Sequence, residues 1–417
     1  MEHRHSKKRP RPGACQAHDT SPDAPGGNRS MPAIRRTAAA AAAAVTLFAT
    51  ATACGPGDDN AAAPGRSAAA DRQGGEAGAD AGGPDQPNGT PTGPDDTKKW
   101  QKGGWKDWDQ WARKASEFAN PVIKDLWNPS RMAEARNTPD VTTQSTGDAG
   151  GSDPEPRPVQ ARQVARPYHQ HMAPIGKIMF DSPQGPMVCS GTVVEDPAHP
   201  GKSNLVWTAG HCVHAGRSGG WMRNIVFVPS YNDQGLPMSE VGRAPAQEVS
   251  PYGVWWANWI TTSGEWIDMG STKSGNAGSA YDFAVLHVKP ERGGGKSLQE
   301  TVGAALPVWF GAPSADRVSG LQAFGYPAAP PYDGARMMNC PARPGRLTMS
   351  QGTPAMYRIG CTMTGGTSGG GWFTNYGGRT YLVSNSSIGS LNHTWLAGPH
   401  LGAEAKRVFT GISRKFA

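Results

Sequence analysis

Three residues of this sequence have types that together could carry acyl-transfer chemistry. Ser368 stands in the run GTSGG, His211 in TAGHC, and Asp282 at the head of the apolar run DFAVL. A serine hydroxyl is a weak nucleophile at neutral pH and needs a base to take its proton, which histidine can do because its pKa lies near that pH. A carboxylate then fixes the imidazole tautomer. These three residues are therefore the predicted catalytic triad.

The glycines around the serine predict a second part of the site. They let backbone N–H groups approach a developing oxyanion, and one such donor is worth about 2.7–4 kcal/mol in a studied protease. We expect the amides of Gly366 and Ser368 to form this oxyanion hole. Asp268 is a competing acid, but it lies in a Gly, Ser and Trp-rich stretch with no strand behind it. His214, His287 and His393 have no comparable sequence context.

These motifs resemble those of the trypsin-like serine peptidases of the chymotrypsin fold, over residues 170–417. The run CSGTVV, which begins at Cys189, and the run TAGHC resemble the two flanks of the family's histidine loop, and GTSGG resembles its nucleophile loop. The chain order His, Asp, Ser is also that of the family. The resemblance implies a disulfide between Cys189 and Cys212.

One residue departs from the digestive members of the family. They have an aspartate directly before the nucleophile, which pairs with a newly freed N-terminus on activation. Thr367 stands there in this chain, so we expect that switch to be absent. In this respect the chain resembles the bacterial glutamyl-endopeptidase relatives more closely.

The specificity pocket is weakly determined by the sequence. Relatives that cut after Arg or Lys have an aspartate six residues before the nucleophile, whereas this chain has Thr362. The run VSNSS, which would form a pocket wall, offers hydroxyls but no histidine. Candidate pocket residues are Thr362, Met363 and Ser386.

The pattern over residues 166–417 predicts an all-β peptidase domain. Gly, Pro, Asn and Asp turns separate short apolar runs, and about 250 residues suffice for two barrels and their cores. Predicted strands are Ile175–Phe180, Met187–Val194, Leu205–Thr208, Ile225–Val228, Phe283–Val288, Leu321–Gly325 and Tyr381–Ser384. The resemblance implies two six-stranded antiparallel β-barrels with the site between them, and a C-terminal helix, which we place at Ala403–Ile412.

Composition divides the first 165 residues into five parts. These are a basic extension or misassigned start (1–30), an export signal (31–54), a disordered tether (55–97), a Trp-rich helical segment (98–137) and a linker (138–165). The export signal has a basic head, a short apolar run and a small-residue exit. It ends at Cys54 in a run that resembles a lipobox, which predicts a lipid anchor on the outer face of the membrane. The alternative is cleavage near Ala53 and free secretion.

Apolar residues in the segment 98–137 recur at three- and four-residue steps, which is typical of a helix. They are Trp105, Trp108, Trp111, Ala115 and Phe118, and Pro121 should end the helix. Two interpretations remain open for this segment: a pro-region that docks its tryptophans near the cleft, with cutting of the linker at Arg162 or Arg166, or an appendage without a specific role.

Cysteine and charge limit the cofactors and partners. With one pair assigned, Cys340 and Cys361 remain as a second pair in the catalytic region, and paired cysteines indicate an oxidising, extracellular compartment. No C-x-x-C occurs, so we expect no metal and no cofactor. Residues 1–36 carry eight Lys or Arg and three Asp or Glu, and so supply most of the net charge of +7. Nucleic-acid binding is not indicated; we expect a monomer that cleaves proteins or peptides. The alternatives are a silent binding or adhesion module and an esterase.

Overall fold

The computed structural model describes residue 91 and residues 94–108, 113–143 and 151–417. The predicted N-terminal extension, export signal and lipidation at Cys54 lie outside these residues, as does the tether from 55 to 90. In the described part of the chain, no helix is both long and apolar enough to cross a membrane.

Residues 94–165 form short elements that pair with the sheets of the following domain. The elements are α1 (Pro94–Gln101), a 3-10 helix (Gly104–Lys106), β1 (Glu117–Phe118), α2 (Pro129–Glu134), β2 (Arg136–Asn137), β3 (Thr142–Thr143) and β4 (Arg162–Gln163). Strands β1 and β2 join the first sheet of the domain, and β3 and β4 join two later sheets. Every sheet of the domain therefore contains backbone from this segment.

The segment 98–137 contains short helices, but the helix predicted through 105–118 is wrong in the residues described. Its last two residues form β1, and Phe118 is fully buried and stacks on Trp221, with ring centroids 5.8 Å apart. Trp108 lies over the guanidinium of Arg223, 4.8 Å from the ring centroid. Trp111 is outside the described residues. Trp108 packs against the barrel from a turn and Phe118 from a strand, because burial outweighs a weak helix propensity.

Six antiparallel strands close into a barrel in the first half of the domain. They are β5 (Ile175–Ser182), β6 (Gly185–Val194), β7 (Leu205–Thr208), β8 (Arg223–Pro229), β9 (Trp255–Thr262) and β10 (Ala284–Pro290). They pair in the order β5, β6, β7, β10, β9, β8, and β8 pairs again with β5. The prediction of a closed six-stranded barrel is confirmed here.

Short helices fill the connections of this half. They are α3 (Tyr168–His171), a 3-10 turn (Gly210–Cys212), α4 (Met238–Val241), α5 (Ala246–Val249), α6 (Gly264–Met269), a 3-10 helix (Ala277–Tyr281) and α7 (Leu298–Val302).

The second half consists of two five-stranded sheets, each of which includes one strand of the upstream segment. The strands are β11 (Leu321–Gly325), β12 (Met338–Ala342), β13 (Gly345–Leu347), β14 (Met356–Gly360), β15 (Gly371–Tyr376), β16 (Arg379–Asn385), β17 (Ile388–Ser390) and β18 (Trp395–Gly398). One sheet runs β16-β15-β11-β12-β4 and the other β13-β14-β18-β17-β3. The second barrel thus does not close by strand pairing, because both edges of β12 and of β14 already have partners.

A disulfide and a helix complete this architecture as predicted. Cys340 of β12 bonds Cys361, which follows β14, and so joins the two sheets. The C-terminal helix α8 spans Ala403–Lys415. Its buried residues Val408, Phe409 and Ile412 lie on one face and pack into the core with the strands of the first half.

Residues 151–165, predicted as a linker, run in contact with the second half. The Val159 carbonyl accepts a hydrogen bond from the Thr362 amide at 3.0 Å, and Asp153 forms an ion pair with Arg346 at 2.8 Å. These polar contacts and β4 hold the segment against the sheets, although its composition gives no periodic signal.

Lys177 of β5 is a buried cation with a testable effect on stability. Its Nζ donates to the Gly334 carbonyl at 2.9 Å, and burial lowers its pKa to about 7. The unfolded lysine titrates near 10.4, so between these values the unfolded state binds more protons and stability rises with pH. We expect the free energy of unfolding, from urea titrations, to rise between pH 7 and 9. This rise should be smaller in Lys177→Met. If the free energy of unfolding rose equally with pH in both proteins, Lys177 would not be its cause.

Candidate active site

His211 lies just beyond strand β7, in a 3-10 turn that a disulfide fixes. Cys212 of this turn is bonded to Cys189 of β6, as the resemblance implies. Gly210 has no room for a side chain, because a Cβ there would lie 2.8 Å from the ring of Trp266. The strand end, the disulfide and the close packing together fix the position of the imidazole.

Asp282 is fully buried directly before β10 and accepts three hydrogen bonds through its carboxylate. Its Oδ2 accepts from His211 Nδ1 at 2.7 Å, and its Oδ1 accepts from the His211 backbone N–H at 2.8 Å. The hydroxyl of Ser387 donates to Oδ2 at 2.6 Å. The carboxylate therefore holds the imidazole by its ring and by its backbone.

This arrangement selects one tautomer of His211. A carboxylate oxygen only accepts, so the proton lies on Nδ1 and the lone pair on Nε2. Nε2 is buried and has no hydrogen-bond partner among the described residues. A neutral imidazole in this orientation can accept a proton at Nε2.

Two residues of the second half bind Asp282 and were not predicted to do so. Besides the Ser387 hydroxyl, the side-chain amide of Asn385 donates to the Asp282 carbonyl at 3.0 Å. Both belong to the run VSNSS, from which the sequence predicted only a pocket wall. The run's hydroxyls were the available signal, but spacing does not show which of them faces the carboxylate.

Ser368 lies in a tight turn against the strand that leads to His211. Gly366 and Gly369 on its two sides have φ values of 93° and 78°, which favour glycine. A Cβ at Gly369 would lie 2.1 Å from the Thr208 hydroxyl, so the turn requires glycine for close approach as well. The structure thereby places the turn that contains Ser368 against Thr208 and Ala209, which directly precede the 3-10 turn of His211.

Ser190 of β6 bonds this turn through two groups and bonds Thr208 of β7 through a third. Its N–H donates to the Ser368 carbonyl at 2.7 Å, and its hydroxyl donates to the Gly366 carbonyl at 2.9 Å. Its carbonyl accepts from the Thr208 hydroxyl at 2.9 Å. Among the described residues, the amides of Gly366 and Ser368 donate to no protein acceptor. Both N–H groups are available where the oxyanion hole was predicted.

Thr367 is buried, and its hydroxyl has no hydrogen-bond partner among the described residues. The turn is held in other ways: the Gly365 carbonyl accepts from the Ala328 amide at 2.6 Å, and the Thr364 hydroxyl donates to the Ala329 carbonyl at 2.8 Å. The turn is therefore ordered without an ion pair at Thr367.

The candidate pocket residues fall in two places. Met363 and Ser386 line the cavity beside Ser368. Thr362 does not line this cavity; its hydroxyl accepts from the Ala161 amide at 3.0 Å and bonds the Tyr332 hydroxyl. Asp140, Val141 and Thr142, which precede the peptidase domain, also line this cavity.

The other acid and histidines of this part have separate environments. Asp268 is exposed on α6. His214 bonds the Arg113 carbonyl, and burial lowers its pKa. His287 bonds Asn258, and burial lowers its pKa to about 4. The sulfurs of Cys189 and Cys212 lie near His211, but the disulfide prevents them from binding a metal as thiolates.

Comparison with known proteins supports this family. No family model and no curated protein matches the chain. Among solved structures, the thermostable serine protease AL20 from an extremophilic microorganism is 31% identical over 58% of this chain and 97% of its own, with a TM-score of 0.47. The chain belongs to the trypsin-like serine peptidases. The family resemblance of the sequence motifs is thus confirmed.

Two further serine peptidase structures are similar to this chain. Protease Anisep from Arthrobacter nicotinovorans is 28% identical over 60% of this peptidase chain and 99% of its own, with a TM-score of 0.46. A Glu endopeptidase is 17% identical over 63% of this chain and 98% of its own, with a TM-score of 0.44. Each neighbour is covered almost completely, while about two fifths of the present chain lies beyond the match.

Proposed function

We propose that this protein is a serine endopeptidase in which Ser368 is the nucleophile, His211 the general base and Asp282 the carboxylate that orients the base. The observation that carries the proposal is the pair of bonds from one Asp282 carboxylate to the His211 ring and backbone, at 2.7 and 2.8 Å. They leave Nε2 as the basic atom, and it has no hydrogen-bond partner in the part of the chain that the structure describes.

The proposed reaction proceeds through an acyl-enzyme. The Ser368 hydroxyl attacks the scissile carbonyl while its proton passes to His211 Nε2. The tetrahedral oxyanion accepts hydrogen bonds from the Gly366 and Ser368 amides. His211 then gives the proton to the leaving amine, which departs and leaves the acyl group on Ser368. Water, deprotonated by the same histidine, attacks this ester and restores the serine.

A fluorophosphonate probe tests the nucleophile directly. Ser368 is the one serine of the tryptic peptide Ile359–Arg379, so a mass shift of this peptide identifies the labelled residue. We expect labelling of the native full chain at this peptide, and none in Ser368→Ala or after denaturation. Native protein that stays unlabelled would contradict a catalytic role.

The same machinery would support ester hydrolysis, and a silent binding or adhesion module would retain the fold alone. Turnover of a peptide amide and of its matched ester distinguishes these functions. Amide cleavage supports the peptidase, ester cleavage alone supports the esterase, and binding without turnover supports the silent module. The hydrogen-bonded pair of His211 and Asp282 favours a catalytic function over the silent module.

We further propose export, with attachment to the outer face of the cell membrane through Cys54. The two disulfides of the domain are typical of oxidising compartments. Detergent-phase partitioning that disappears in Cys54→Ser would support the anchor. A soluble protein that begins after Ala53 would support free secretion.

Ser190 offers a separate test of the oxyanion hole. Removal of its hydroxyl leaves the Gly366 carbonyl without this donor, so the turn that carries the Gly366 and Ser368 amides loses one of its attachments to β6. We expect Ser190→Ala to lower kcat by about 100-fold, as does loss of one oxyanion donor, with little change in KM. Binding of a peptide aldehyde should weaken in parallel. Thr208→Val is the control, because it removes the adjacent hydroxyl and leaves the Gly366 bond intact; equal losses in both variants would contradict the role.

A further inference from the structure

The edge of strand β17 next to the candidate active site pairs with the chain's own upstream residues. Thr142 and Thr143 of β3 pair with Gly389 and Ser390, and the Gly389 amide donates to the Val141 carbonyl at 3.1 Å. An exposed strand edge is a common docking site for an extended peptide. We propose that the candidate active site is a docking surface for residues 138–143, here called the cleft segment, and that substrate enters only after this segment leaves. This inference rests on the proposed function.

The cleft segment is buried in this position. Val141 is 4% exposed and lies in an apolar cluster of the second half. Its partners there include Leu347, Met356, Ile388 and Trp395. Thr138, at the other end of the segment, is also 4% exposed. Burial of this extent gives the segment a hydrophobic attachment besides its strand pairing.

The same segment lines the surroundings of both proposed catalytic side chains. Residues 140–142 line the cavity beside Ser368, whose volume of about 20 Å³ is sufficient for one water but not for a side chain. Residues 138, 139 and 141 line a cavity of about 240 Å³ beside His211. The segment therefore fills the place where the residues around a scissile bond would have to bind.

Asp140 of the cleft segment approaches the proposed oxyanion turn. A Cβ at Gly365 would lie 2.6 Å from Asp140 Oδ1 and 2.7 Å from the Thr138 carbonyl, so the glycine is what permits this approach. His393 Nε2 lies 3.9 Å from the other Asp140 oxygen. Burial raises the pKa of Asp140, against the opposing effects of His393 and the Gly365 amide.

Both flanks of the cleft segment are fixed to the domain. On one side β2 pairs with Met187 and Val188 of β6. On the other side Asp153 pairs with Arg346. A segment tethered in this way binds at an effective concentration on the order of millimolar. Free substrate at lower concentration therefore competes poorly with it.

Substitutions in the cleft segment of the full chain test the inference. Val141→Asp places a carboxylate among apolar side chains, and Thr143→Pro removes a backbone donor from β3. We expect each variant to raise the rate of fluorophosphonate labelling at Ser368, and of peptide hydrolysis, by at least about tenfold. Val141→Leu, which keeps an apolar side chain, should behave like the unmodified chain.

Equal labelling of Ser368 in all of these proteins would overturn the cleft-segment inference and leave the proposed function intact. If Ser368 stays unlabelled in every variant, the proposed function fails instead, and docking is then decided by binding alone. For this, a fluorescent peptide of residues 136–143 is added to the full-length Val141→Asp protein. We expect an anisotropy increase that the unmodified chain, with its own segment in place, does not give. Absence of binding to Val141→Asp would overturn the docking surface.

Discussion

Replacement of Ser368 by alanine is expected to abolish peptide hydrolysis, with kcat reduced on the order of 10⁶-fold. The hydroxyl would form the bond to the acyl group, and no other side chain of the turn can replace it. The folded state should change little, because among the described residues the hydroxyl takes part in no hydrogen bond. Turnover of a fluorogenic peptide, measured in the unmodified and the Val141→Asp chains, gives the loss. Unchanged melting temperature shows that folding is retained.

A second variant, His211→Ala, tests whether Ser368 and His211 act together. His211→Ala should cost nearly as much as Ser368→Ala, and the double variant should cost no more than either alone, because residues that act together are not additive. Losses that multiply in the double variant would mean that the two residues act independently.

Asp282→Asn is expected to lower kcat by about 10⁴-fold, as the equivalent change does in the family's studied member. The carboxylate accepts from the His211 ring, the His211 backbone and Ser387. An amide has one oxygen and one NH₂ group, so it cannot accept all three bonds. The imidazole would then turn or adopt the other tautomer, and Nε2 would carry the proton that it has to accept.

Asp268→Asn is the matched control for this prediction. It makes the same chemical change at an exposed position on α6, and we expect kcat to stay unchanged. If Asp268→Asn had the larger effect, the wrong carboxylate would have been assigned to His211. Peptide turnover in both variants, with circular dichroism to monitor folding, provides the comparison.

The proposed catalytic residues could be predicted because each stands in a short motif. The glycines and cysteines of these motifs are required by the local geometry of the turns. Gly210 and Gly369 are glycines for steric reasons that the structure makes explicit, and Cys189 and Cys212 flank the histidine turn. The positions of Ser387 and Asn385 could not be predicted. Their role depends on a contact between the two halves of the domain, and neither periodicity nor spacing reports such a contact.

Parts of the fold could not be predicted for the same reason, because contacts between residues distant in the sequence decide them. Strand β9 was missed because its run WWANWITT neither alternates in polarity nor forms a continuous apolar run. Strands β1 to β4 have two residues each, too few for any period. The spacing of the aromatic residues before Pro121 favoured a helix, but Phe118 and its neighbours are ordered by the barrel wall. Their local sequence contains no information about that wall.

The distribution of the upstream strands has a consequence for any cut between Thr143 and Gly151. No disulfide joins the two sides of such a cut, because the four cysteines of the domain pair with one another. The part before the cut would still be held by β1, β2, β3 and the buried side chains of Trp100 and Phe118. The product would be a nicked, two-chain protein that elutes as one species in gel filtration and separates into two bands on a non-reducing denaturing gel.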